Sequence, residues 1–317
     1  MKFIDWFAGI GGFRRGMEMA GHECVGFCEW DKFATASYTS MHLITEEQRN
    51  RLSAFPITNR QKEILKEEFR NGEWYSDDIR RVYAGDIPRA DCWCFGFPCQ
   101  DISIAGGKQA GFYGNRSSLF FRVMYLLGQL EEEKKPTWLF IENVKNLFGV
   151  NGGWDFARLL IELDRGGYDA EWQVLNSKDF GVPQNRERVF IIGHFRGRSG
   201  GEIFPVEQGD GPQQTAAVLN RLFNIYGDNK GTGYAGNVWD KNGLSPTLTT
   251  SQGGNRQPMI LINARIRKLT PKECFRLQGW SDDYFEKAQF VNSDSQLYKQ
   301  AGNGVTVNVI YEIAKRF

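Results

Sequence analysis

The chain has 317 residues, 41% of them hydrophobic and 24% charged, and its formal net charge is +1. This length suits about two domains with a large buried core, and the composition excludes a disordered, collagen-like or coiled-coil protein. No run approaches the roughly 18 apolar residues of a membrane span, and no secretory signal pattern is present. We therefore expect a cytoplasmic protein that does not bind membranes.

The charges are unevenly distributed along the chain. Residues 184–280 carry 13 Lys and Arg against 7 Asp and Glu. The near-neutral total excludes a uniformly basic surface for nucleic acid, whereas a local basic face in the C-terminal third remains compatible with the sequence.

The cysteines and histidines limit the possible chemistry. No CxxC pair and no His-x-x-x-His occurs among the six cysteines and three histidines, so we predict no metal site. Without a secretory signal, a disulfide framework is not expected. His22, His42 and His194 are the only histidines, which leaves few bases for a Cys–His or Ser–His–Asp mechanism.

Short apolar runs alternate with helical patterns over the first 195 residues. The predicted strands are short and rich in aromatic or β-branched residues: Phe3–Phe7, Cys24–Cys28, Tyr83–Ile87, Cys92–Phe97, Trp138–Ile141, Trp172–Leu175 and Val189–Gly193. Helical patterns lie at 12–20, 31–41, 116–134 and 154–165. This alternation predicts an α/β fold with a doubly wound, mostly parallel sheet.

Two segments depart from this rhythm. Residues 44–82 are charged and periodic, with an amphipathic pattern at Gln61–Arg70, and we predict a helical insertion there. Residues 196–256 contain 12 of the 36 glycines, which indicates a disordered linker or a smaller, irregular, partly β domain. Apolar residues such as Trp239 and Leu248 favour the domain. We predict domains at 1–195 and 196–264, and a return segment at 265–317 whose last helix, within Val305–Phe317, packs on the first domain.

The first motif is a glycine turn after the first predicted strand. Phe7, Gly9 and Gly11 lie in it, and glycines at such a turn let backbone amides approach a ligand at a helix N-terminus. Arg14 breaks the dinucleotide pattern GxGxxG. Glu29 closes the next strand, where an acid accepts hydrogen bonds from ribose hydroxyls. Two interpretations stay open, a nucleoside cofactor site and a tight turn with a surface Glu.

The second motif follows the strand that ends near Phe97. Pro98 and Cys99 open a loop that contains Gln100, Ser103 and several glycines. Ligands of doubly wound sheets bind beyond the carboxyl ends of the strands, so Cys99 is a candidate nucleophile. A small buried Cys is the structural alternative.

Two further motifs carry charge at strand ends. The apolar strand from Trp138 runs into Glu142, and burying a carboxylate there is costly unless it is paired or protonated. Arg186 and Arg188 point the same way on an extended segment and can bind a phosphate or carboxylate. A solvated acid and a solvated charged edge are the alternatives.

Taken together, these motifs resemble the DNA (cytosine-5) methyltransferases, most closely the bacterial restriction–modification type. The resemblance covers nearly the whole chain in order. It includes the glycine turn, Glu29-Trp30, Asp86-Ile87, Pro98-Cys99-Gln100, Glu142-Asn143-Val144, Gln184-x-Arg186-x-Arg188, Arg267-x-Leu269-Thr270-x-x-Glu273-Cys274-x-Arg276-Leu277-Gln278-Gly279 and Gln300-x-Gly302-Asn303-x-Val305. The departures are Trp6 for Leu, Ile102 for an aromatic, Trp280 for Phe, and the length of the 44–82 insertion.

The resemblance implies a Rossmann-like fold that binds S-adenosylmethionine and releases S-adenosylhomocysteine. It also implies that Cys99 adds to C6 of a flipped-out cytosine in duplex DNA, while Glu142 holds N3 and Arg188 reaches O2. Arg186 would steady the pocket or a phosphate, and Gln100 and Ser103 lie on the same loop. The implied cofactor contacts are Phe7, Gly9, Gly11, Glu29, Trp30, Asp86, Ile87, Pro98, Leu119, Asn303 and Val305.

The segment 196–264 would read the DNA sequence. The candidate contacts are Arg221, Lys230, Lys241, Thr247, Thr249 and Arg256, of which Thr247-Leu248-Thr249 resembles the family's Thr-Leu pair. The resemblance implies a bacterial or phage-encoded monomer, with a cognate restriction endonuclease that acts separately.

Three alternatives remain. A tRNA cytosine-5 methyltransferase of the same fold would use the same residues, although the sizeable glycine-rich domain and Gln100 favour DNA. A non-catalytic DNA-binding or cofactor-binding protein has no need of Cys99, Glu142 and the arginine pair together. A nicotinamide oxidoreductase is disfavoured by Arg14 in the glycine pattern.

Overall fold

The computed structural model of the chain describes residues 1–97, 118–207, 218–227, 234–251 and 256–317. In these residues, no helix is long and apolar enough to cross a membrane.

The first part of the chain forms a seven-stranded sheet in the order β3-β2-β1-β4-β5-β7-β6. Its strands are β1 (Lys2–Trp6), β2 (Glu23–Cys28), β3 (Trp74–Ser76), β4 (Cys92–Phe95), β5 (Trp138–Val144), β6 (Tyr168–Asn176) and β7 (Glu187–Phe195). The pairs from β3 to β5 are parallel, and β7 runs antiparallel to both β5 and β6. The predicted mostly parallel α/β sheet is confirmed.

Successive side chains of a strand point to opposite faces of the sheet, and some of the helices pack on each face. The helices are α1 (Gly12–Met19), α2 (Lys32–His42), α3 (Glu46–Ser53), α4 (Ile57–Glu63), α5 (Ser118–Gln129), α6 (Trp154–Arg165), α7 (Pro271–Arg276), α8 (Asp282–Gln289), α9 (Asp294–Asn303) and α10 (Val307–Ala314). Phe3 of β1 is in the core cluster of α1 and α10. Ile4 is in the cluster of α5 and α6.

Two local predictions are wrong. Tyr83–Ile87 is not a strand, since it contains a 3-10 turn at Ala84–Asp86 in which the Asp86 and Ile87 amides bond to carbonyls three residues earlier. The predicted helix at Gln61–Arg70 is split, with α4 ending at Glu63 and a 3-10 turn at Glu67–Arg70.

The insertion at 44–82 is also not purely helical. It contains α3 and α4, but β3 pairs in parallel with β2 and extends the edge of the main sheet. A partly buried ion pair fixes this end of the insertion, because Arg14 Nη1 lies 2.7 Å from Glu73 Oε1. Sequence periodicity missed the strand because three residues are too few to show an alternation.

A second sheet of four strands follows, in the order β11-β10-β9-β8. Its strands are β8 (Arg221–Asn224), β9 (Asn237–Trp239), β10 (Met259–Ile262) and β11 (Arg265–Lys268). Helices α7 to α9 then lead to α10, which packs with α1. Strand β11 begins just past residue 264, so the second sheet extends into the segment that we predict as the return.

Candidate active site

The glycine turn links β1 to α1 in an uncommon backbone conformation. Phe7, Gly9 and Gly11 have φ angles of 54°, 56° and 83°, and the left-handed region is rare for a residue with a side chain such as Phe. The Gly9 amide donates to Glu29 Oε2 at 2.8 Å. The turn therefore depends on a carboxylate at the end of the neighbouring strand.

Glu29 is buried at the carboxyl end of β2. Its second oxygen, Oε1, accepts from the Asp31 amide at 2.7 Å. Burial raises the pKa of Glu29, while the amides of Asp31 and Gly9 act in the opposite direction. The Trp30 amide is a third backbone donor to this group, and a carboxylate has about four lone-pair directions, so Glu29 retains the capacity to accept from a ligand hydroxyl.

The other predicted cofactor contacts fall into two groups. Phe7, Ile87 and Leu119 are partly buried and pack against one core cluster, and Val305 packs on Gly12 of the turn. The exposed ones are Trp30, Asp86 and Asn303.

Glu142 and Arg188 meet where β5 ends and β7 begins. Glu142 Oε1 lies 3.0 Å from Arg188 Nε, and both side chains are largely buried, at 14% and 16% exposure. A methyl group on Gly96 would lie 3.1 Å from Glu142 Oε2, which is closer than a comfortable carbon contact. Glycine at 96 therefore leaves the space that this carboxylate occupies.

Asn143 is a buried residue that we did not place in the site from sequence. Its Nδ2 donates to the carbonyl of Phe97 at 3.3 Å, and its Oδ1 accepts from the Val144 amide at 2.9 Å. It thereby joins the end of β5 to the last described residue before Pro98 and Cys99. The sequence signal for Asn143 was its position directly after Glu142 in the motif Glu142-Asn143-Val144.

Arg186 is only 3% exposed. Its guanidinium donates to the carbonyls of Gly304 at 2.7 Å, and of Leu248 and Gly302 at 3.5 Å. The side chain thus joins the start of β7 to the 245–249 segment and to the stretch between α9 and α10.

Two buried amides make similar connections and were also missed. Gln184 donates to the Leu277 carbonyl at 2.8 Å and accepts from the Leu248 amide at 3.0 Å. Gln278 donates to the Ala301 carbonyl at 2.7 Å. Both glutamines occur in the motifs quoted above, but motif matching alone does not distinguish a buried connector from a ligand contact.

The predicted DNA contacts lie in different settings. Arg221, Lys241 and Arg256 are exposed. Thr247 donates its hydroxyl to the Asn185 carbonyl at 2.7 Å, and Thr249 is partly buried. Five predicted site residues lie outside the described residues: Pro98, Cys99, Gln100, Ser103 and Lys230.

The remaining cysteines are poor nucleophiles. Cys28, Cys92, Cys94 and Cys274 are buried, and Cys24 is partly buried. Burial raises the pKa of Cys24 and of Cys274 to about 12, and it raises the pKa of Cys28 and Cys94 as well. A thiol with a raised pKa supplies little thiolate at neutral pH.

Comparison with known proteins places the chain in a family. The family model of C-5 cytosine-specific DNA methylases matches residues 1–67, 50–259 and 235–317. The type II methyltransferase M.Bsp6I of Bacillus sp. (strain RFL6) is 33% identical, with 99% of this chain and 98% of that protein covered. M.HhaI of Haemophilus parahaemolyticus is 32% identical, with 99% and 93% covered.

Solved structures show the same fold at low identity. The Entamoeba histolytica methyltransferase EhMeth has a TM-score of 0.68 and 18% identity, with 98% of this chain and 96% of that chain covered. The S. pombe Dnmt2 methyltransferase has a TM-score of 0.68 and 16% identity, with 99% and 97% covered. From the family model and the full-length relatives, this chain belongs to the C-5 cytosine-specific DNA methylases, and it is a DNA (cytosine-5) methyltransferase.

Proposed function

We propose that this enzyme methylates C5 of a cytosine flipped out of a specific duplex DNA sequence, through a covalent bond from Cys99 to C6. The Glu142–Arg188 pair carries this proposal. It holds a carboxylate and a guanidinium near the carboxyl ends of the neighbouring strands β4 and β5. Cys99 follows β4 by a few residues.

The glycine turn and the residues near it suit S-adenosylmethionine. The buried Glu29 carboxylate offers acceptor capacity to ribose hydroxyls, and the exposed indole of Trp30 offers a flat apolar face to an adenine. Phe7, Ile87 and Leu119 supply partly buried apolar contacts. When bound, S-adenosylmethionine supplies the methyl group as an electrophile for C5.

The protein groups make cytosine reactive toward that electrophile. The Cys99 thiolate adds to C6, and Glu142 shares a proton with N3, so that negative charge is not left in the ring. C5 then becomes nucleophilic, and loss of its proton after methylation expels the Cys99 thiolate. Arg188 holds Glu142 and donates to the cytosine O2. Arg186 is a positioning residue, because its donors contact backbone carbonyls.

The second sheet and its loops supply the sequence recognition. Arg221, Lys241 and Arg256 are exposed cations on this part of the chain, and such side chains contact phosphates or guanine edges. Thr247 and Thr249 lie on the 245–249 segment, which hydrogen-bonds to the residues just before β7. We propose a monomer that acts on double-stranded DNA, with any cognate endonuclease acting separately.

A fluorine atom at C5 of the target cytosine tests this mechanism. Addition and methyl transfer proceed, but fluorine cannot leave as a cation, so the enzyme remains attached to the DNA. Duplex DNA amplified with 5-fluorodeoxycytidine triphosphate contains every possible target. We expect a detergent-resistant adduct that requires S-adenosylmethionine and maps to Cys99.

Variants and a second substrate complete the experiment. Cys99→Ser should abolish the adduct, and Cys274→Ser should leave it unchanged because that thiol is buried. An adduct on Cys274, or trapping by Cys99→Ser, would contradict the mechanism. Methyl transfer from labelled cofactor to tRNA but not to duplex DNA would contradict the substrate.

A further inference from the structure

His42 is a partly buried histidine that has no role in the proposed mechanism and contacts the glycine turn directly. Its Nε2 lies 3.0 Å from the carbonyl oxygen of Ile10. A carbonyl only accepts hydrogen bonds, so Nε2 carries the proton. A methyl group on Gly11 would lie 2.5 Å from this nitrogen. The ring therefore occupies the space that the glycine leaves free.

Aromatic rings hold the imidazole in place. The ring centroids of Tyr38, Tyr284 and Trp280 lie 4.9, 5.5 and 6.0 Å from that of His42. The Nδ1 atom is buried and has no hydrogen-bond partner in the part of the chain that the structure describes. Among the described residues, the ring thus has one hydrogen bond, which is to the turn.

The surroundings keep the imidazole neutral. Burial lowers the pKa of His42 well below its usual value, and the Arg14, Arg15 and Lys287 cations act in the same direction. Arg15 and Lys287 both lie over the Tyr284 ring, at 4.8 and 5.1 Å from its centroid. A neutral ring with a fixed Nε2 proton is a constant hydrogen-bond donor across the physiological pH range.

The glycine turn is consequently anchored from two elements. Glu29, at the end of β2, accepts from the Gly9 amide at 2.8 Å, and His42, at the end of α2, donates to the Ile10 carbonyl. The two bonds hold adjacent residues of the turn. The Glu29 carboxylate accepts from the amide of Gly9, and the His42 imidazole donates to the carbonyl of Ile10.

We propose that His42 is a positioning residue that holds the Ile10–Gly11 segment in the conformation that binds S-adenosylmethionine. This inference depends on the proposed function, because it assigns the glycine turn to the cofactor. His42 acts through the backbone of the turn and does not contact the substrate.

Three variants of the full chain test this role by calorimetric titration with S-adenosylmethionine in the absence of DNA. His42→Phe keeps a ring but removes the donor, and His42→Gln places an amide donor near the Nε2 position. His22→Phe is the matched control. His22 also contacts a backbone carbonyl, that of Ala314 at 2.9 Å, but it lies away from the turn.

We expect His42→Phe to weaken S-adenosylmethionine binding about threefold to tenfold, the scale of one hydrogen bond. His42→Gln should recover part of the affinity, and His22→Phe should bind like the wild type. Wild-type affinity in His42→Phe would overturn the inference and leave the proposed function standing. A wild-type chain that binds no S-adenosylmethionine would overturn both.

A measurement on the wild type decides the question if His42→Phe does not fold. Nitrogen-15 NMR of the histidine rings should show the His42 Nε2–H tautomer, and S-adenosylmethionine should shift its signals but not those of His22. Unchanged His42 signals at saturating S-adenosylmethionine would overturn the inference.

Discussion

Arg188 and Glu142 form a diagonal pair across the antiparallel strands β7 and β5, with Nε 3.0 Å from Oε1. In the register of these strands, Arg188 lies opposite Val144 and Glu142 opposite Phe190, so the two side chains share one face. The pair places a charged donor beside the carboxylate that we assign to N3 of cytosine, and it gives the first prediction.

Glu142→Gln should lower methyl transfer by about 10²–10⁴, the scale of lost general acid–base catalysis. DNA binding should persist, because the amide has nearly the same shape. The measurement is single-turnover transfer from labelled S-adenosylmethionine. Glu187→Gln is the matched control, since Glu187 pairs with Lys145 at the surface. Wild-type turnover in Glu142→Gln would remove this carboxylate from the mechanism.

Arg186→Met should destabilise the protein by about 2–3 kcal/mol, because it removes a buried charged donor from backbone carbonyls such as that of Gly304. Urea denaturation measures this change. Arg158→Met is the control, because the exposed Arg158 guanidinium lies over the Phe121 ring at 4.5 Å, and we expect a loss of less than about 1 kcal/mol. Equal losses in both variants would contradict the positioning role.

Exchanging the second sheet for that of a relative should change the methylated sequence and preserve binding of S-adenosylmethionine. The exchanged segment should run from 196 to 268, because β11 pairs with β10 along Met259–Ile262. A chimera whose exchanged segment ends at 264 should be less stable, because β10 would come from the relative and its partner β11 from this protein. Bisulfite sequencing of plasmid DNA reads the outcome, and an unchanged sequence in an active chimera would refute the assignment.

His42 should make unfolding stability depend on pH. Its folded pKa is lowered, so between that value and the unfolded value near 6.5 the unfolded chain binds more protons. Stability contributed by this group is therefore complete above about pH 6.5 and decreases as the pH falls, by up to about 1.4 kcal/mol per pH unit.

The stability difference between wild type and His42→Gln isolates this effect, because other groups titrate in both proteins. Denaturation with urea at pH 5.0 to 7.5 should show the wild type losing stability relative to the variant toward low pH. Parallel stability curves would show that His42 does not titrate differently on folding.

Local patterns determined the parallel sheet and most helix positions, since the alternation of strand and helix signals repeats over the first 195 residues. These patterns failed where the hydrogen bonds that the backbone forms in the fold outweighed the local preference of the residues for helix or strand. The three residues of β3 form a strand only because β2 offers an edge beside Gly26, and Tyr83–Ile87 bonds to itself in a turn despite its strand-like composition.

The sequence by itself identified the family and the residues that carry charge at strand ends, because side chains that perform chemistry are conspicuous in order and spacing. It did not determine which protein groups each of them contacts. The resemblance implied that Arg188 reaches the cytosine and that Arg186 steadies the pocket or a phosphate, whereas the structure shows their protein contacts: Arg186 is buried against backbone carbonyls and Arg188 pairs with Glu142. Likewise, His42 meets Ile10 only because α2 packs against the glycine turn. Such contacts join residues distant in sequence, so only the tertiary structure decided them.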